Sequence, residues 1–176
     1  ECRFGQPVRR LEDERLLTGR GRYVSDIHLP GMAQARMLRS PYAAGRLRRL
    51  DVSNALMAPG VLSVLTGSDL IKEDFGNIRP LARLKRADGS DNFVPPYGML
   101  AIDEVRHVGE IIAVVVAENV LQADAALELI ELEIEPIPSV TDIVQATASD
   151  ALAVWPEEPT NICFVERLGD AARSDL

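Results

Sequence analysis

At 176 residues, with 47% hydrophobic and 26% charged side chains, the chain is a globular domain or one domain with an arm. A chain of this length buries about 70% of its unfolded surface, so it needs no metal or disulfide staple. Its longest apolar run is seven residues, against the ~20 that span a bilayer, and Cys2 and Cys163 are too few for a structural zinc or iron–sulfur site.

Two isolated cysteines without an apolar leader read as free thiols in a reducing, cytoplasmic setting. The chain opens on Glu1, so the expectation is a processed protein or a piece of a longer one. Its net charge of −8 is uneven. Residues 1–50 hold eleven Arg and five acids, a balance of +6, and residues 51–176 hold eight bases and twenty-two acids, a balance of −14. A basic arm on an acidic body suits nucleic acid, an acidic partner or its own protein. The arm has no Lys, few aromatics and no nucleic-acid motif, so docking against protein is the expected use.

Residues 1–30 read as an irregular arm punctuated by Gly5, Pro7, Gly19, Gly21 and Pro30, with Leu11, Leu16 and Leu17 anchoring a short helical turn. Gly19-Arg20-Gly21 lacks a preceding strand and a third glycine, so it is no dinucleotide fingerprint. Ala33–Leu38 and Arg46–Val52 read as strands, the second an edge guarded by Arg46, Arg48 and Arg49. Ser53 is placed to cap a helix over Asn54–Ala58, stopped by Pro59-Gly60. Val61–Thr66 is the next strand. Residues 67–100, mixed in charge with several Gly and Pro, read as a loop insertion.

Val105–Val140 is the centre of the expected core. Ile111–Ala117 is apolar and β-branched throughout, which predicts a strand covered on both faces. Asn119, three residues before Gln122, predicts a helix N-cap, with helix to about Ile130. Leu132 and Ile134 then alternate with Glu131, Glu133 and Glu135, which predicts a strand with one acidic, solvated face, ended by Pro136. Beyond it, Thr141 caps a short helix through Gln145. Residues 146–161 read as an extended segment with Trp155 buried, and Asn161–Leu168 as a last strand.

Nothing in this pattern is poised for chemistry. His28 and His107 are far apart and read as surface histidines. A nucleophilic pair of Cys163 with histidine has no supporting motif. The three strand glutamates read as a wet face rather than a cation site. No catalytic, cofactor-binding or metal-binding residue is assigned.

Several stretches together resemble one family. They are Arg10-Leu11-Glu12-Asp13, Leu16-Leu17-Thr18-Gly19-Arg20-Gly21-Arg22-Tyr23, Asp26-Ile27, Leu29-Pro30-Gly31-Met32, Arg39-Ser40-Pro41, Pro59-Gly60-Val61 and Val64-Leu65-Thr66-Gly67. Val105-Arg106-His107-Val108-Gly109-Glu110, Ala123–Glu128 and Glu135-Pro136-Ile137-Pro138 complete the ordered set. The chain is similar to the N-terminal α/β-hammerhead domain of the molybdenum-binding large subunit in the xanthine dehydrogenase, aldehyde oxidase and carbon monoxide dehydrogenase family. Two places depart from that family's usual pattern. Tyr42-Ala43-Ala44-Gly45 stands where a His-Ala-His-Ala run is usual, and Met99 where proline is common.

The resemblance implies an α+β hammerhead with a mixed sheet and a few helices. It implies an arm at 1–30, the domain proper at 31–168 and the start of a linker at 169–176. It also implies a parent oxidoreductase with a molybdopterin-type molybdenum cofactor, an iron–sulfur subunit and often a flavin (FAD) subunit. The cofactor itself would sit on domains outside this chain. The expected role is non-catalytic: supporting those domains and docking subunits, with Arg9, Arg10, Arg20, Arg22 and Tyr23 as candidate interface residues. The alternative is a free-standing split subunit or assembly module.

Overall fold

Two three-stranded sheets, every pair in them antiparallel, account for most of the regular structure. The computed structural model describes residues 5, 7, 10–81, 84–86, 88–165 and 169. Cys2, Arg9, residues 166–168 and the stretch after Gly169 lie outside the described residues. The chain divides into two compact units, Glu1–Met32 and Ala33–Leu176.

The first unit holds helix α1 (Asp13–Leu17) and a 3-10 turn at Val24–Asp26, and neither buries a residue. Asp13 and Glu14 stand in the first turn of α1, where their charge suits the helix dipole. The Thr18 hydroxyl donates to the Glu14 carbonyl at 2.6 Å, and Gly19, at φ +70°, takes the chain out of the helix. The three leucines expected to anchor this turn do not sink into a core: Leu11 and Leu17 are fully or nearly fully exposed.

In the second unit the strands are β1 (Gln34–Arg39), β2 (Gly45–Asp51), β3 (Val61–Thr66), β4 (Glu104–Val105), β5 (Ile111–Ala117) and β6 (Glu131–Pro136). The helices are α2 (Ser53–Leu56), α3 (Gly67–Lys72), α4 (Val120–Leu127) and α5 (Ile143–Ala146). One sheet runs β1-β5-β3 and the other β4-β2-β6. The class is the expected α+β with few helices, but the strands form two sheets rather than one mixed sheet. The β5–α4–β6 unit passes from one sheet to the other. Its two strands have different needs: β5 must be covered on both faces, whereas β6 must keep its glutamates wet.

Two cores follow. Val115 and Ala117 of β5 meet Val64 of β3, Ala55 of α2, and Ala123 and Ala126 of α4. Ile112 packs with Ala101 and Val105, and against Leu38, Leu47, Leu50, Leu132 and Ile134. Alternation along β5 therefore feeds both cores from one strand. The small alanines of α4 let that helix lie close to the sheet.

Strand β2 is the centre of its sheet, not the charge-guarded edge expected. The register between β2 and β6 shifts between Leu47 and Arg49. That bulge lets Leu47 and Leu50, three apart, both turn inward, while Arg48 and Arg49 both stay exposed. The charges are matched across the strands instead: Arg46 to Glu104 of β4 (3.4 Å), and Arg48 to Glu135 and Arg49 to Glu131 of β6 (2.6 Å each). Glu131 and Glu135 are thus exposed but paired.

The caps differ in detail from expectation. Asn119 does cap α4, its side-chain oxygen accepting from Gln122 N–H at 3.0 Å, and the helix ends at Leu127. Ser53 does not cap α2: it is the first helical residue, and its N–H donates to the Asp51 carboxylate at 3.0 Å. Asp142 rather than Thr141 caps α5, accepting from Gln145 N–H at 2.8 Å.

The stretch 67–100 begins with α3, held by Thr66 and Asp69. The backbone and hydroxyl of Thr66 donate to Asp69 at 3.0 and 2.6 Å, and these bonds hold the Asp69 carboxyl below its usual range. A small antiparallel bridge, Lys85 to Asp91, follows. Segment 146–161 is turn-rich rather than extended, and Trp155 is half-buried. Asn161 ties it together, donating to the Ala146 and Leu152 carbonyls and accepting from Val154 N–H at 2.8 to 2.9 Å. No strand forms over residues 161–165.

Candidate functional site

The interface residues singled out from sequence sit in the first unit, with Arg9 outside the described residues. Arg10, Arg20, Arg22 and Tyr23 are all exposed. Arg20 is held locally, donating to the Thr18 hydroxyl at 3.0 Å and reaching Glu14 at 3.3 Å. Tyr23 uses its N–H to fix the following turn through the Asp26 carboxylate (2.9 Å). Arg10 and Arg22 pair with no side chain among the described residues. Counted over Glu1–Met32, the first unit holds six Arg and five acids, so its balance is only +1. The basic character of residues 1–50 comes largely from β1 and β2, where Arg36, Arg46, Arg48 and Arg49 are matched to acids of the second unit and Arg39 donates to the Gly109 carbonyl. What marks the first unit is that its helix and 3-10 turn bury no residue while Leu11, Leu17, Tyr23, Val24 and Leu29 stand exposed.

The second unit contains a polar cluster that sequence reading did not assemble. The turn from β4 to β5 carries Arg106, His107 and Glu110. Glu110 is buried, and its Oε2 accepts the Arg106 backbone N–H and lies 3.5 Å from His107 Nδ1. Its backbone is clamped too: Ser40 N–H donates to the Glu110 carbonyl (2.9 Å) and Gly109 N–H to the Ser40 carbonyl (2.8 Å). Gly109 takes φ +84°, which the reversal after Val108 demands and glycine adopts freely.

From this clamp the Arg106 side chain lies over the Trp155 ring, 4.0 Å from its centroid, and donates to Glu104 at 3.0 Å. Its Nε is buried without a partner. The Tyr97 ring stands 6.1 Å from that of His107. Burial, and then the Glu110 charge, push the Tyr97 phenol up, so it stays a neutral hydroxyl at physiological pH.

Two grooves flank Arg106 and Glu104. One, of about 220 Å³, is of mixed polarity, lined by Ala43, Ile137, Val140 and Leu152 together with Arg46 and Glu104. The other, of about 380 Å³, lies between Tyr97 and Trp155 and is lined by Asp103, Glu104, Glu110 and Glu157. Nothing here resembles a nucleophile with its base. Among the described residues, no three His, Cys, Asp or Glu side chains are placed to hold a metal ion, and no helix is long and apolar enough to cross a membrane. The signal missed in sequence was the run Val105–Glu110 read beside the single tryptophan. Their meeting is a long-range contact that no local period reports.

Comparison with known proteins adds the following. Residues 18–138 match the family described as aldehyde oxidase and xanthine dehydrogenase, a/b hammerhead domain. The chain is 39% identical over 159 residues to the nicotine 6-hydroxylase large subunit of Paenarthrobacter nicotinovorans, covering 90% of this chain and 19% of that protein. It is 35% identical over 141 residues to the xanthine dehydrogenase molybdenum-binding subunit of Escherichia coli O157:H7, covering 78% and 18%. The crystal structure of quinoline 2-oxidoreductase from Pseudomonas putida 86 superposes with a TM-score of 0.64 at 39% identity, over 84% of this chain and 18% of that one. The chain thus spans about a fifth of the length of the relatives it matches.

Proposed function

Because the chain belongs to the aldehyde oxidase and xanthine dehydrogenase family, as its a/b hammerhead domain, we propose that it is a non-catalytic scaffold within a molybdenum hydroxylase large subunit. Its task is to dock onto the cofactor-bearing remainder and help seat the partner subunits. The observation that carries this reading is the apolar surface of the first unit. Leu11, Leu17 and Val24 are 101%, 86% and 88% exposed, on a unit whose helix and 3-10 turn bury nothing. Each such side chain gains about 1.5–3 kcal/mol on being covered, so a surface of this kind favours a protein neighbour. Arg10, Arg22 and Tyr23 would border that contact, Arg20 would add charge at its margin, and Arg9 stays a candidate from the sequence alone.

The parent's molybdopterin-type cofactor, its iron–sulfur partner and a flavin subunit belong to the same proposal, as does its oxidoreductase activity. Among the described residues, the larger groove does not fit the cofactor. The larger groove presents four carboxylates against Arg106, which is already engaged by Glu104 and Trp155. An anionic pterin phosphate would meet net repulsion there.

The test is association. The 176-residue chain, tagged, should retain the separately expressed remainder of its large subunit. Changing Leu11, Leu17 and Val24 together to Ser should weaken retention at least tenfold. Changing Arg9, Arg10, Arg20 and Arg22 together to Glu should weaken it less. Undiminished retention by the Ser variant would end the docking role of the first unit.

A further inference from the structure

We propose that the groove between Tyr97 and Trp155 receives a basic segment, an arginine or lysine in extended chain, from the part of the large subunit outside these 176 residues. The source of the segment rests on the scaffold reading above, whereas the chemistry of the groove does not.

The groove's charges decide what it accepts. Asp103, Glu104, Glu110 and Glu157 line it, against the single cation Arg106. Arg106 donates to Glu104 and stacks on Trp155, so those two charges offset one another. Three carboxylates remain. Asp103 and Glu157 are exposed at the rim, and neither carboxylate has a protein partner among the described residues.

Glu110 is a different and independent observation. Its side chain is 8% exposed, and both of its contacts, Arg106 N–H and His107, fall on Oε2. Glu110 is one of the residues that line the groove. A carboxylate held this far from water is costly unless a positive group compensates its charge, so it favours a ligand that brings a cation.

The remaining walls agree. Trp155 and Tyr97 are aromatic, and the negative faces of such rings attract cations. Pro96 and Pro156 add rigid apolar surface on either side. A guanidinium meets all of these groups: it forks onto carboxylates, stacks on rings, and carries an apolar stem for the proline-lined walls. At about 380 Å³ the groove has room for more than one side chain. A phosphate or carboxylate ligand would face three uncompensated negative charges, and a purely apolar segment would strand Glu110. Four-fifths of the relatives' length lies outside this chain, ample to supply the segment.

Trp155 is the only tryptophan, so its fluorescence reports the groove directly. The 176-residue chain is titrated with acetyl-Arg-Gly-Arg-amide and, in parallel, with the citrulline counterpart, which has the same shape without charge. The expected result is a saturable change with the arginine peptide alone. The rim variant Asp103→Asn with Glu157→Gln, which leaves buried groups untouched, should weaken it roughly three- to fivefold. Glu110→Gln, which keeps an acceptor for the Arg106 N–H, should weaken it more. Equal responses to the two peptides, no saturable change, or an unaffected rim variant would each overturn the proposal. Retention of the large-subunit remainder separates the two readings. If the wild-type chain retains nothing, the scaffold reading fails; if the rim variant retains it as strongly as wild type, only the groove's occupant is wrong.

Discussion

β5 and β2 are both central strands of three-stranded sheets, yet they hold their places by different means. β5 carries no charge and has four of its seven residues buried, and its alternate side chains enter two separate cores. β2 carries Arg46, Arg48, Arg49 and Asp51, and buries only Gly45 fully. Its leucines enter one core and its arginines meet acids from both neighbours. The lesson is that burial positions the first sheet, whereas the second combines half-burial with a charge register. The first should therefore be sensitive to lost volume and the second to salt.

Lost volume gives the largest expected effect. Ile112 is fully buried, on the β5 face that packs with Val105 and the leucines of β2 and β6. Ile112→Ala should cost about 3 kcal/mol in urea unfolding, since it removes transfer energy and leaves a cavity that two sheets must both collapse to fill. A cost below about 1 kcal/mol would mean that the sheets do not depend on a shared core.

The capping oxygen of α4 comes next. Asn119 accepts from Gln122 N–H at 3.0 Å and so satisfies one of the helix's unpaired donors. Asn119→Ala should cost about 1 kcal/mol, and Asn119→Asp should retain most of the stability. If alanine and aspartate behave alike, packing of Ala123 and Ala126 alone fixes the helix start.

Sequence reading reached furthest where a local pattern decides the structure. The run Ile111–Ala117 and the Asn119–Gln122 spacing are visible within one element, and both stand in the structure. It fell short where partners are remote or irregular. Strand β2 was mistaken for an edge because Leu47 and Leu50 break the period of two, and only the bulge against β6 restores a common inward face. α3 was hidden inside an expected loop, although Thr66 and Asp69 stand at capping spacing, because Gly67 opens the helix. Arg106 and Trp155 meet only through the turns that Asn161 pins. The arm's charge misled for a related reason: a count along the chain cannot see that Arg46, Arg48 and Arg49 are matched across strands.

That matching yields the smallest effect and the sharpest test of the contrast. Arg49 and Glu131 meet at 2.6 Å, each side chain half exposed. The backbone register sets Arg49 opposite Glu133 and Asp51 opposite Glu131, so this pair is diagonal rather than direct. Asp51 also lies 3.4 Å from Arg49 and competes for it. A double-mutant cycle on Arg49→Ala and Glu131→Ala should therefore give a coupling of only about 0.3 kcal/mol at low salt. Near 1 M salt the Debye length falls to about 3 Å and the coupling should vanish. The Ile112→Ala cost, being apolar, should not shrink under the same salt. A coupling above about 1 kcal/mol that persists in salt would mean the pair is shielded from water, as a docked neighbour over this face would make it. The β2–β6 ladder would then be an interface rather than a solvated surface, and the contrast with β5 would dissolve.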